Sequence, residues 1–154
     1  MFQMKETPEE KKIYENFKPG KLTKEGFLGD DIRHINEIIE EDKRTLSRLG
    51  VEPETIADRM QKFIDEGVKG LESTVDLNEF AVRVNWFRGM LPCPFGEPNL
   101  HHKLTAVLRN TALDEEIMFT QLGVHLIGAH CFFMGHGSRF RLEPDELVKF
   151  LKII

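Results

Sequence analysis

The sequence predicts an α+β fold, in which helices pack on a small antiparallel sheet of three to four strands. Between residues 30 and 72, apolar residues recur every three to four positions, which is typical of amphipathic helices. At Thr74 the repeat changes to two, the period of a half-buried strand, and from about Leu122 it becomes helical again. The predicted order is therefore an N-terminal helical hairpin, a sheet, and C-terminal helices packed on that sheet.

Length and composition favour a single domain. The 154 residues are enough for one hydrophobic core and short for two. A content of 40% hydrophobic and 31% charged residues is that of a globular protein rather than a disordered one. We therefore assign residues 1–154 to one globular domain. Its parts are an N-terminal helix and basic linker at 1–29, a helical hairpin at 30–72, and a sheet with two helices at 73–154.

Capping signals predict where the first two helices begin and end. The motif TPEE at residues 7–10 is a capping box with proline at the first helical position, so a short helix should run to about Phe17. Asp30 or Asp31 would cap a longer second helix. Gly50 would end this helix, because glycine adopts the left-handed conformation of a C-cap at little cost.

Residues 45–63, TLSRLGVEPETIADRMQKF, form a pair of helical segments joined by a very short turn. Pro53 starts the second segment, and the short connection predicts antiparallel packing of the pair. The stretch resembles the helix-turn-helix of bacterial regulators, which implies a second helix that enters the DNA major groove. However, Glu52 and Glu54 would lie on the DNA-facing side, where phosphates repel them. A plain helical hairpin explains the same residues, and nucleic acid is not the expected partner.

Alternation of apolar and polar residues predicts three consecutive strands. The clearest alternation runs from Phe80 to Trp86, and further strands are predicted at Lys103–Arg109 and Glu116–Gln121. Connections this short favour an antiparallel meander. The sheet should therefore have its strands in sequence order.

The last third of the chain predicts two more helices. An apolar helix runs from about Leu122 to Met134, and Gly135 or Gly137 would cap it. Alternation over Ser138–Leu142 predicts a short extended piece whose arginines point to water. A final helix begins at Pro144.

Charge and hydropathy exclude several classes of protein. The net charge of −5 argues against a whole-surface attraction to nucleic acid or anionic lipid. No apolar run approaches the roughly 20 residues of a membrane helix, and the opening MFQMKETPEEKK lacks the apolar core of a signal peptide. Two cysteines, Cys93 and Cys131, are too few for a disulfide framework. We therefore expect a cytoplasmic protein with no membrane partner.

The stretch HLIGAHCFFMGHG, residues 125–137, contains three histidines and a cysteine, which raises a metal site as one interpretation. Metal-binding histidines on one helix are usually four positions apart, whereas His125 and His130 are five apart, or about 140° around the axis. We therefore expect their side chains to diverge and assign neither a metal nor another cofactor. Ordinary packing explains the stretch as a buried helix with an inert Cys131.

The segment RGMLPCPFGEP, residues 88–98, offers a candidate nucleophile. Its prolines hold Cys93 in a stiff, extended conformation. A thiol near Arg88 would have a lowered pKa, and His125 or His130 would serve as its base from across the fold. The alternative is a rigid turn whose cysteine packs inward.

The function we favour from the sequence is the binding of a small polar or anionic metabolite. Arg88 and Arg139 lie beside glycines and would pair with a carboxylate or phosphate, while His125 and His130 would orient it. The pocket would form where the RGMLPCPF loop meets the helix that carries both histidines. A regulatory role fits the same site.

Three other functions stay open. The first is an enzyme with Cys93 as catalytic nucleophile and His125 or His130 as general base. A zinc-binding protein and a helix-turn-helix DNA-binding protein are the others. In addition, the amphipathic helix at 30–49 would suit pairing of two copies in a homodimer.

Overall fold

The computed structural model describes residues 7–154, which form an α+β fold with one four-stranded sheet, so the predicted fold class is confirmed. The helices are α1 (Pro8–Glu15), α2 (Ile35–Leu49), α3 (Pro53–Val68), α4 (Gln121–His130) and α5 (Pro144–Phe150). The strands are β1 (Val75–Leu77), β2 (Phe80–Pro92), β3 (Leu100–Asn110) and β4 (Glu115–Thr120). No helix within the described range is long and apolar enough to cross a membrane. Residues 1–6, which carry part of the signal-peptide argument, lie outside that range.

The two N-terminal caps differ in how well the sequence predicted them. Thr7 caps α1 as predicted, because its side chain accepts a hydrogen bond from the backbone of Glu10 at 3.1 Å. The predicted aspartate cap of α2 is wrong: the helix begins later, and His34 accepts from the backbone of Asn36. Asp31 instead binds Arg33 and a distant backbone amide, so it holds a turn rather than a helix end.

The turn between α2 and α3 forms as predicted, with Gly50 in the left-handed conformation (φ 69°) and Pro53 in the first turn of α3. However, α2 and α3 pack mainly against other elements rather than against each other. Helix α2 packs against α5, whereas α3 packs against α4 and β2. The buried stripe of α3, which includes Met60 and Ile64, faces the sheet because the sheet offers the larger apolar surface.

The sheet is an antiparallel meander with strand order β1-β2-β3-β4, as predicted. Strand β2 is longer than predicted and continues to Pro92, with a shift of register between Trp86 and Met90. Residues 90–92, expected in a loop, are instead extended because they pair with residues 100–102 at the start of β3. Cys93 therefore follows directly after a strand.

Helix α4 lies between two groups of buried apolar side chains. Val124 and Ile127 belong to the group formed with α3 and the sheet, whereas Leu126 belongs to a second group covered by the N-terminal segment. The predicted end at Met134 is wrong, because α4 ends at His130. Cys131 takes the left-handed capping conformation (φ 51°), so neither of the predicted glycines caps the helix. This early end lets the following phenylalanines turn into the core.

The piece at Ser138–Leu142 is a turn rather than a strand, and Arg141 does not point to water. Its side chain is 8% exposed and makes two hydrogen bonds to the carboxylate of Asp42, at 2.6 and 2.9 Å. It also bonds Glu143 at 3.0 Å. The expectation is wrong because alternation over five residues does not require a strand, and a buried carboxylate on α2 binds this guanidinium.

Candidate metal centre

Two segments of the chain bring four metal-binding side chains to one point. Cys93 and Glu97 come from the connection between β2 and β3, and His125 and His130 come from α4. One donor atom of each of these side chains lies within 4.8 Å of the donor atoms of the other three. We call this set the four-residue cluster.

Packing holds the connection between β2 and β3 in place. A tight turn is closed by the backbone of Gly96, which donates to the carbonyl of Cys93 at 3.0 Å and has a φ of +92°. The side chain of Asn16 donates to the carbonyl of Pro94 at 3.1 Å. The ring of Phe95 meets the ring of Phe17 edge-on, with centroids 4.8 Å apart. The N-terminal segment thus fixes the loop that carries half of the cluster.

Distances within the cluster centre on one oxygen of Glu97. The Sγ atom of Cys93 lies 3.6 Å from this Oε1 atom and 3.6 Å from Nε2 of His130. Nε2 of His125 lies 3.3 Å from the same oxygen, and Nε2 of His130 contacts it directly. The cluster sits at the protein surface but is not open on all sides: the histidine side chains are 19% and 21% exposed.

The two histidines of α4 converge, although their spacing predicted divergence. The angle around the helix axis does not settle where these side chains end, because an imidazole side chain is long enough to reach around the helix surface. The ring of His130 stacks on Phe95, with centroids 4.0 Å apart and planes 18° apart, which directs it toward Glu97. The ring of His125 is directed to the same side by His101, at 4.4 Å. Neighbouring rings, rather than helical spacing, therefore set both orientations.

Hydrogen bonding and burial give the two residues of the loop different acid–base properties. Hydrogen bonding from His130 lowers the pKa of Glu97, and the charge of both histidines acts in the same direction. Burial raises the pKa of Cys93, and the charge of Glu97 raises it further. The thiol is 2% exposed. In the protein alone, Cys93 is therefore a protonated thiol beside a carboxylate, the opposite of the exposed, low-pKa environment of a reactive cysteine.

His101 adds an unusual feature at the edge of the cluster. Its Nε2 atom is buried and has no hydrogen-bond partner within residues 7–154, and no other buried side-chain polar atom in that range lacks one. Burial lowers the pKa of His101, so the ring is held neutral. A buried polar atom without a partner costs about 1–3 kcal/mol, which favours a bound polar group at this position.

The residues expected to form one anion pocket occupy separate places. His125 and His130 belong to the four-residue cluster, whereas Arg139 lines a different cavity between the sheet and the 134–140 segment. Arg88 is exposed on the outer part of β2 and does not line the cavity that contains Arg139. Cys93 lies in the same cluster as both histidines.

Sequence reasoning missed Glu97. The sequence contains a pattern that indicates this ligand: in the loop PCPFGEP, a cysteine and a glutamate are separated by a turn with glycine at its end. Spacing rules for cysteine and histidine do not indicate a carboxylate ligand, although zinc accepts sulfur, nitrogen and oxygen donors. Comparison with protein-family models, with curated proteins and with solved structures finds no match for this chain.

Proposed function

We propose that this protein binds a divalent transition metal of the zinc class through Cys93, Glu97, His125 and His130. The single observation that carries the proposal is the convergence of one sulfur, two nitrogen and one oxygen donor on one point. Such convergence of four ligating side chains from two separate segments is not required by the packing of the core.

The distances support tetrahedral coordination. With bond lengths of about 2.0–2.3 Å around a tetrahedral ion, neighbouring donor atoms lie about 3.3–3.7 Å apart. The separations of 3.6, 3.6 and 3.3 Å within the cluster fall in this range. Nε2 of His130 and Oε1 of Glu97, which are in direct contact, would move apart to admit the ion.

The types of donor select the metal. Thiolate and imidazole ligands favour Zn²⁺ and related ions, whereas Mg²⁺ and Ca²⁺ prefer sites made of oxygen alone. A thiolate and a carboxylate would together balance the charge of a divalent cation. Bound metal also reverses the unfavourable electrostatics of the loop, because a coordinated thiol loses its proton.

The same geometry argues against a catalytic cysteine. In a cysteine–histidine pair oriented by a carboxylate, the thiol and the carboxylate face opposite nitrogens of the ring. Here Cys93 and Glu97 both face Nε2 of His130. Two partners at one nitrogen are expected when an ion lies between all three groups.

The first test is metal content after purification without added metal or chelator. We expect about one equivalent of zinc per chain in the unchanged protein and in His102→Ala, since His102 is exposed and outside the cluster. His130→Ala and His125→Ala should lose most of it. Loss of one ligand typically weakens metal binding by several orders of magnitude. Replacement of a residue that only hydrogen-bonds to a ligand weakens it by about 10–100-fold.

A second test identifies the thiolate. Replacement of zinc by Co²⁺ should give a sulfur-to-cobalt charge-transfer band that disappears in Cys93→Ala and remains in Cys131→Ala. Two further results would contradict the proposal: an unchanged band in Cys93→Ala, or a metal-free native protein that takes up no Co²⁺. If Cys93 of that metal-free protein then reacts rapidly with a thiol reagent at neutral pH, the cysteine enzyme becomes the better explanation.

A further inference from the structure

We infer that a second cavity, formed without any residue of the four-residue cluster, binds an amphipathic carboxylate: a small molecule with an apolar chain and one carboxylate group. The cavity has a volume of about 270 Å³. It lies between the 23–27 segment, the outer parts of β2 and β3, the start of α4, and residues 134–140. The volume is slightly below the roughly 300–1,000 Å³ of ordinary ligand sites, which indicates a small ligand.

The inner surface of the cavity is apolar. It is formed mainly by aliphatic and aromatic side chains: Phe27, Leu91, Leu104, Leu122, Met134 and Phe140. Phe87 also lines the cavity, although 58% of its surface is exposed to water. Burial of an apolar chain against these groups would remove exposed hydrophobic surface and would be favourable by about 25 cal/mol for each Å² buried.

Cations surround this apolar surface. Lys24, Lys103 and Arg139 line the cavity, and none of them makes an ion pair with a carboxylate of residues 7–154. The guanidinium of Arg139 lies over the ring of Phe140, 5.4 Å from its centroid, so its donors stay beside the apolar wall. Glu25 is the one acidic lining residue. Three cations against one carboxylate favour an anionic group on the ligand.

The arrangement specifies both ends of the ligand. An uncharged apolar molecule would leave the cations without an ionic partner. A small anion without an apolar chain would leave the apolar side chains of the cavity exposed to water. Arg139 would bind the carboxylate, and Lys103 would add a second charge-assisted contact. Arg139 was among the anion-binding residues expected from the sequence, but the histidines expected beside it lie in the metal site.

The test uses octanoate as the probe and isothermal titration calorimetry as the measurement. The chain has one tryptophan, Trp86, whose ring centroid is 5.5 Å from that of His102 in the cavity lining, so its fluorescence provides a second readout. We expect octanoate to bind at one site and to change this fluorescence. Octanol lacks the charge and acetate lacks the chain, and each should bind at least about tenfold more weakly.

Variants connect the binding to the cavity. Arg139→Gln and Lys103→Gln should each weaken octanoate binding by about tenfold, the usual effect of one charge-assisted hydrogen bond. The control Arg83→Gln changes an exposed arginine of β2 that does not line the cavity, and it should bind as the unchanged protein does. Chelator should have no effect, so failure of the metal proposal would leave this result intact. Equal binding of octanol and octanoate, or unchanged binding in both cavity variants, would overturn the inference.

Discussion

At the scale of single residues, Asp31 combines a local partner with one that is far away in sequence. Asp31 accepts hydrogen bonds from the side chain of Arg33 and from the backbone of His136. This carboxylate is 3% exposed, although it lies in a turn rather than in a helix or strand. It connects the segment before α2 with the loop after α4.

Asp31 provides a prediction about acid stability. Hydrogen bonding from Arg33 lowers the pKa of Asp31 far below its usual value, with a further contribution from the backbone of His136. Because the folded protein favours the ionised carboxylate, this stabilisation is present above the pKa of the unfolded chain and is lost as the pH falls. Asp31→Asn should reduce the free energy of unfolding at pH 7 by about 1–3 kcal/mol. It should also flatten the decrease in stability between about pH 5 and pH 2.

Urea unfolding at a series of pH values measures both effects. Asp30→Asn is the matched control, because Asp30 is the exposed neighbour of Asp31. A variant at position 31 with the same pH profile as the unchanged protein would show that the hydrogen bonds of this carboxylate do not stabilise the fold.

At the scale of elements, α4 is central because it packs on α3, on the sheet and beneath the N-terminal segment, and it also carries two residues of the four-residue cluster. Close approach of α3 and α4 depends on Gly128. A Cβ atom at this position would lie 2.8 Å from the Cβ of Ala57 on α3. The small residue therefore sets the distance between the two helices.

We expect Gly128→Ala to push α4 away from α3. The added methyl group should cost about 1–3 kcal/mol of stability, despite the higher helix propensity of alanine. Because His125 and His130 flank position 128, metal affinity should fall as well. Thermal unfolding and competition with a chelator of known affinity measure the two effects.

The control for this prediction is Ala129→Ser, which changes the exposed neighbour of Gly128 on the same turn. It should leave both stability and metal affinity close to those of the unchanged protein. If Gly128→Ala is as stable as this control, the contact between the two helices must adjust without strain.

At the scale of the whole molecule, one buried ion pair joins parts of the chain that are 99 residues apart. Arg141 and Asp42 are 8% and 5% exposed, and the bonds between them connect α2 to the segment that leads into α5. Arg141 also donates to the carbonyl of Met134 at 3.1 Å. A partnered pair of this kind makes a small net contribution, whereas an unpaired buried charge is strongly unfavourable.

Asp42→Ala should therefore destabilise the protein by about 1–3 kcal/mol, since the guanidinium of Arg141 loses its buried partner and keeps Glu143 and the carbonyl of Met134. The double variant Asp42→Ala with Arg141→Met should recover much of this loss, because no buried charge remains. Urea unfolding of the single and double variants forms a double-mutant cycle. Additive losses would show that the two residues do not act as a pair.

Much of the fold could be predicted because it depends on local patterns. The capping box at residues 7–10, the glycine at position 50 and the change of period at Thr74 each act within a few residues of the element they define. The predicted helix ends are wrong where a contact with a residue distant in sequence outweighs the local capping signal. His34 caps α2 because Asp31 is engaged elsewhere, and Cys131 ends α4 because the next side chains enter the core.

The sequence by itself determined the α+β class and the order of the strands, because the period of the apolar residues distinguishes helices from strands and short connections favour a meander. Only the tertiary structure decided the site. Cys93 and His130 are 37 positions apart, and their approach depends on the packing of Phe95 against His130 and of the N-terminal segment against the loop. Burial of one face does not specify which polar groups meet across the fold. That meeting follows from the geometry in which the faces pack.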